Sequence, residues 1–366
     1  MTIERRVLFW VAAGIGALLL LYLFSPILLP FVAGMAVAYA LDPAADWLER
    51  RGFGRLWATL TILVVFVVLL AVVLVALVPV LVNQLAGLVE DLPGYMERLQ
   101  ALLAPILDSE TARLLRIDRE SLRSSLSGFL SGGAGWIAAM LGSLWTGGRA
   151  VINTLSLLIV TPVVAFYLLY DWDRMVARAD ALLPRQHAET IRSLIAEISD
   201  VIAGFVRGQG LLCLFLGVFY AAGLVIIGLN FGLLIGLGAG LLSFIPYVGT
   251  ILGFVIAVTV AFVQFSPDWI WIAATVGVFV LGQFIEGNIL QPRLLGGRVG
   301  LHPVWLMFAL FAFGYLFGFV GLLIAVPAAA AIGVLVRFAV RRYLASPLYA
   351  GDAPGERPAG RRIEKL

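Results

Sequence analysis

The chain has 366 residues, 62% of them hydrophobic and only 13% charged. A water-soluble domain carries about 25% charged residues, so half that supply cannot clothe a wetted surface, and the mean hydropathy of +1.03 points to lipid as the second solvent. The net charge of +3 comes without a basic run interleaved with aromatics, which argues against nucleic-acid binding. A single cysteine, Cys213, rules out an internal disulfide, and two distant histidines offer no metal-ligand spacing.

A bilayer core about 30 Å thick needs roughly 20 apolar residues per helical span. Apolar runs at 7–24 and 27–41 are separated by Ser25 and Pro26, and a third run covers 57–82. The first run follows Glu4-Arg5-Arg6 like a signal peptide but lacks a small-x-small cleavage pattern, so it reads as a retained span. Residues 1–82 therefore read as spans one to three. The region 83–149 balances acids against arginines with leucines at helical spacing, and reads as amphipathic helices outside the cytoplasm. Span four is expected at 150–172, ending at Asp171-Trp172-Asp173. A cytoplasmic amphipathic helix is expected at 173–207, where Ile191, Leu194, Ile195, Ile198, Val201, Ile202 and Phe205 step by three and four. The transport core is expected at 208–340, and a basic, disordered tail at 341–366. Alternating spans put the arginine clusters on one side. By the positive-inside rule that side is the cytoplasm, with both termini there.

Two stretches suggest helical hairpins that turn back inside the membrane. The run 231–265 is interrupted by FIPYVG at 244–249, and the run 303–336 by FGFVG at 317–321. Arms of about 15 residues reach roughly 22 Å, short of a full crossing. The expected tips carry Pro246, Tyr247, Gly249, Gly318 and Gly321. Ser243 and Thr250 flank the first tip, where their hydroxyls can bond freed backbone groups. Joined to the spans before them, the hairpins form two units of opposite orientation, an inverted repeat of the kind that transporters use. Gly232, Gly236 and Gly240 recur every four residues, as do Gly249 with Gly253 and Gly314 with Gly318. That spacing permits close helix approach. The fold class is thus all-α, a polytopic bundle of about eight spans with two candidate re-entrant hairpins.

A charge at the bilayer centre costs about 2.5–3.5 kcal/mol on the insertion scale. Glu286 is the only acid between 208 and 336 besides Asp268, which sits in a turn. Gln283, three residues earlier, is expected on the same helix face. Asn288, Gln291 and Pro292 follow. Glu286 is a candidate proton carrier, or alternatively the ion-pair partner of Arg293, Arg298 or Arg207. Arg207 reads as a snorkelling interfacial residue, and Gln209, two residues deeper, as a cavity-facing one.

Several strings resemble the autoinducer-2 exporter family: FYLLYDW at 166–172, FVRGQ at 205–209, IPYVG at 245–249, IEGNILQPRLLG at 285–296, GLHPV at 300–304 and GFVGLLIAVP at 318–327. The resemblance covers about 7–342, and IEGNILQP is its most specific part. It implies an inner-membrane transporter of about eight helices and a homo-oligomeric assembly, with a pentamer as the candidate. Some members look like exporters of the sugar-derived signal autoinducer-2, others like sodium(lithium)/proton antiporters. The family motifs fall here on Arg207, Gln209, Pro246, Gly249, Glu286, Asn288, Gln291 and Pro292. The expected partners are membrane lipid, a small polar solute, a proton or sodium, and further copies of the chain. No cofactor is expected. HExxH, GxSxG and paired membrane aspartates are absent, which argues against an enzyme. A non-transporting scaffold is the remaining class.

Overall fold

The computed structural model describes residues 19–107, 148–295 and 302–346, with isolated positions beyond these ranges. Most of the first expected span, most of 108–147, Arg298 and the tail beyond 346 lie outside the described residues.

Every regular element among the described residues is helical. A 3-10 turn, Ser25–Ile27, leads into α1 (Leu29–Glu49), followed by α2 (Arg55–Leu107), α3 (Gly148–Ala181) and α4 (Ala188–Ile227). Then come α5 (Gly232–Leu242), α6 (Val248–Phe265), α7 (Trp269–Ile285), a π-helix (Glu286–Leu295) and α8 (Pro303–Leu344). By length and hydropathy, six stretches among the described residues are able to cross a bilayer, within α2, α3, α4, α6, α7 with the π-helix, and α8. The expectation of about eight spans stands at six here. On α2, Val64, Val65, Val68, Leu69, Val72 and Val75 are each more than half exposed. A ridge of that length is a liability in water and an ordinary surface in lipid. The chain is a multi-pass membrane protein.

The polarity steps in the sequence do not coincide with helix ends. α2 runs as one helix of 53 residues through the expected boundary at 82. α3 continues past Asp171-Trp172-Asp173 to Ala181. α4 joins the expected amphipathic helix to the next span in one 40-residue helix, with no break at Arg207 or Gly208. Backbone hydrogen bonding is indifferent to whether side chains meet water or lipid, so a step in polarity does not by itself end a helix. α4 ends at Gly228, whose φ of 77° supplies the left-handed C-cap, while Leu229 N–H closes on the Leu224 carbonyl at 3.0 Å.

Three clusters hold the bundle. Ala38, Leu63, Ala165 and Leu169 join α1, α2 and α3. Leu212, Leu216, Tyr220, Leu224, Ile235, Ala239, Ala257, Val260 and Phe279 form the main core where α4, α5, α6 and α7 meet. Val201 of α4 packs with Ala330 and Val334 of α8.

The first hairpin is α5–α6, with arms of 11 and 18 residues rather than two of about 15. α5 is about 17 Å long, too short to cross. It lies against α4 on its glycine stripe. Gly236 faces the backbone of Tyr220 and Ala221, and Gly240 faces that of Gly217 and Cys213. A Cβ at either position would enter the neighbouring backbone, so the stripe is helix-packing surface. Gly249 likewise meets the backbone of Ala239, Leu242 and Ser243 across the hairpin.

In α8 the break is confined to Gly318, at φ 60° and ψ −138°. The chain reverses there, because Gly321 lies against the Phe313 carbonyl and a Cβ on Gly314 would come 2.9 Å from Leu322 Cδ2. A straight helix would put positions eight residues apart about 12 Å from each other. The second arm packs on α4, with Arg337 3.5 Å from Glu197. The two hairpins do not pack on each other to any extent among the described residues. The second hairpin therefore does not mirror the first by resting on the helix that precedes it.

Candidate functional site

The tip of the first hairpin is closed by its own backbone and by one side chain from α4. After α5, Ser243 N–H bonds the Ala239 carbonyl at 2.9 Å, Phe244 N–H the Leu241 carbonyl at 3.2 Å, and Ile245 N–H the Leu242 carbonyl at 3.0 Å. Val248 N–H then bonds the Ile245 carbonyl at 3.2 Å around Pro246 and Tyr247. Tyr247 has φ 68°, the third-position geometry that a type II turn normally gives to glycine. Ser243 Oγ donates to the Ala239 carbonyl at 2.8 Å, as its place beside the tip suggested. Gln209, only 5% exposed, donates its amide to the Ser243 carbonyl at 2.7 Å. This residue was expected to face a cavity. It instead clamps the tip to α4.

Glu286 lies at the junction of α7 and the π-helix. Pro292 carries no N–H for the Asn288 carbonyl, so the regular ladder cannot continue through Asn288, and the wider π turn accommodates the gap. Glu286 is buried at 9% exposure. Its Oε1 accepts from Gln291 Nε2 at 3.2 Å, while its Oε2 is buried without a hydrogen-bond partner. Tyr220 of α4 reaches the same end of α7, where its hydroxyl would lie 2.8 Å from a Cβ on Gly282, four residues before Glu286. The Tyr220 ring stacks on Phe279 at 4.6 Å and lies over Gly282, which leaves it no room to withdraw. The Tyr220 hydroxyl is buried and makes no bond of good geometry, with Thr250 of α6 as a polar neighbour. Two orphaned polar atoms thus sit in one region, bounded by α4, the start of α6 and the α7–π junction. Buried polar groups are nearly always bonded, so a pair of orphans calls for an explanation such as an unseen water, ion or ligand.

The other expected site residues separate. Gln283 is exposed while Glu286 is buried, so the two do not share a working face. The 60° offset between positions three apart is enough to carry one outward. Asn288 is exposed and donates to the Phe284 carbonyl of its own helix at 3.0 Å. Arg207 is not the partner of Glu286. It donates to the Tyr39 carbonyl at 2.7 Å and stands 3.7 Å from Asp42. Arg293 makes no ion pair among the described residues, and Arg298 lies outside them. Sequence reading missed Tyr220, because an aromatic inside a run of aromatics reads as packing. The available signal was its hydroxyl, which is costly in an otherwise apolar span.

The sequence profile described as the AI-2E family transporter matches residues 8–341. YrrI of Bacillus subtilis (strain 168), provisionally named a transport protein, is 32% identical over 351 residues, covering 90% of this chain and 96% of its own. YueF of the same organism, also provisionally named a transport protein, is 28% identical, covering 85% and 82%. PerM of Escherichia coli (strain K12), provisionally named a permease, is 28% identical, covering 88% and 90%.

Proposed function

This chain belongs to the AI-2E transporter family, and from that premise we propose that it is a secondary transporter of a small polar solute across the bacterial inner membrane. The carrying observation is the orphaned pair, Glu286 Oε2 and Tyr220 Oη, buried beside Thr250 and Gln291 at the hairpin core. A carboxylate, two hydroxyls and an amide can together accept from and donate to a hydroxyl-rich ligand such as autoinducer-2. The short α5 arm and the internally bonded tip support a re-entrant first hairpin, since backbone at membrane depth must find its partners within the protein. On this reading 208–340 is the transport core and α1–α3 its support, with elevator-like displacement between them.

A second reading, sodium(lithium)/proton antiport, is favoured by one further feature: Glu286 has no cationic partner among the described residues. Everted vesicles containing wild type or Glu286→Gln distinguish these. Under the first reading, wild type drives solute flux independent of sodium, and the variant loses at least about tenfold of it, as a removed charged hydrogen-bonding group implies. Sodium-triggered proton movement without solute flux selects the antiporter. Unchanged flux of both kinds in the variant removes Glu286 from transport.

A further inference from the structure

The α1–α2 junction carries a second polar feature, separate from the orphaned pair. Three carboxylates at the end of α1 are committed inward. Arg55, 17% exposed at its side chain, stands 2.7 Å from Asp46, 3.0 Å from Glu49 and 3.4 Å from Asp42. Arg207 takes the remaining oxygen of Asp42. Two further guanidiniums, Arg50 and Arg51, are exposed, and among the described residues neither meets a carboxylate. Arg51 instead lies over the Trp47 ring at 3.7 Å. Four guanidiniums thus face three carboxylates, and the surplus positive charge sits in the loop.

That loop borders an open cavity of about 400 Å³ lined by Arg51, Gly52, Phe53, Gly54, Trp57 and Thr61. Gly52, at φ 96°, takes a backbone conformation between α1 and α2 that glycine adopts without strain. The aromatic rim is exposed, Trp57 at 65% and Phe53 at 50%. From Trp57 and Thr61 the same side of α2 runs on into the exposed Val64, Val65 and Val68. One end of this surface is cationic and aromatic and the other is a bare aliphatic ridge.

We propose that this cavity is a binding site for an anionic phospholipid, with its phosphodiester headgroup against Arg50 and Arg51 and its acyl chains along Val64, Val65 and Val68. Arginine matches phosphate oxygens in pairs, and tryptophan rings favour the headgroup level of a bilayer. The aliphatic ridge selects lipid over free phosphate, which would gain nothing from it. The site depends on the chain's membrane insertion and is independent of what the core transports.

Native mass spectrometry of the full chain in neutral detergent, titrated with phosphatidylglycerol or phosphatidylcholine, tests this. Wild type is expected to bind phosphatidylglycerol more tightly than phosphatidylcholine. The Arg50→Gln/Arg51→Gln variant is expected to weaken phosphatidylglycerol binding about 25-fold, about fivefold per arginine, and to weaken phosphatidylcholine, whose choline cation offsets the same phosphodiester, by less. Val65→Ser/Val68→Ser, which keeps both arginines, is expected to weaken both lipids together. Equal phosphatidylglycerol affinity in wild type and the arginine variant overturns the site. So does displacement of the lipid by millimolar inorganic phosphate, which would make the ligand a free anion.

Discussion

Gln209 shows what a single amide does at a hairpin tip inside lipid. Its bond to the Ser243 carbonyl spans 2.7 Å in a region closed to solvent, so losing it leaves a buried acceptor with no water to replace the donor. Gln209→Leu roughly preserves volume and removes the amide, and with it the donor to Ser243. It is expected to cost about 1–2 kcal/mol, read as a lowered thermal midpoint in detergent, and to slow flux by loosening the tip. An unchanged midpoint with unchanged flux would show that the tip holds without α4. Gln209 and Glu286 were legible in the sequence because a polar group in an apolar span is expensive and therefore conspicuous. Their surroundings were not, since Ser243 lies 34 positions from Gln209, and Tyr220 comes beside the end of α7 only when α4 and α7 fold together. Arg207 misled for the same reason: its partner, Tyr39, is 168 positions away on α1.

At the scale of elements, α5 tests whether its glycines are there for contact or for flexibility. Gly240 faces the backbone of Gly217 and Cys213, whereas Gly238, two residues away on the same helix, has nothing within 4 Å of a built Cβ. The two sites share helix propensity and differ only in neighbours. Gly238→Ala is expected to stabilise the chain by up to about 1 kcal/mol, the propensity difference between the residues. Gly240→Ala is expected to destabilise it by about 1–3 kcal/mol, the usual cost of overpacking. Paired melting curves in one detergent decide it, and matched shifts would mean that α5 does not need its close seat on α4. The hairpin and its glycine spacing were readable from the sequence, because Pro246 and the Gly repeat mark breaks and contacts directly. The lengths of α2 and α4 were not, because a step from apolar to polar residues marks where a helix leaves lipid rather than where it ends.

For the whole molecule, the proposed displacement of 208–340 against α1–α3 raises the question of which interface would yield. α5 meets α4 backbone to backbone at Gly236 and Gly240, and Gln209 ties the tip to the same helix, so α4, α5 and α6 are fitted to move as one body. The seam between α1 and α4 is different in kind. It holds the Arg207–Asp42 pair at 3.7 Å, with both side chains 38% exposed, and the Arg207 bond to the Tyr39 carbonyl. A half-exposed ion pair contributes about 0–1 kcal/mol, small enough to break and remake in each cycle. The proposed displacement of the core against α1–α3 would part this seam together with the α2 contacts, where Leu234 N–H bonds Gln84 at 2.9 Å and Asn230 bonds the Tyr95 hydroxyl at 3.1 Å. Cysteines at Tyr39 and Arg207, in a Cys213→Ser background and joined by a short thiol-reactive spacer, pin the α1–α4 seam. Joining them is expected to cut flux at least about tenfold, with recovery on cleaving the spacer, while a matched pair at Pro30 and Thr161, in contact within the α1–α3 support, leaves flux intact. Full flux through the pinned protein would mean that α1 and α4 travel together, and that any motion lies within the hairpins themselves.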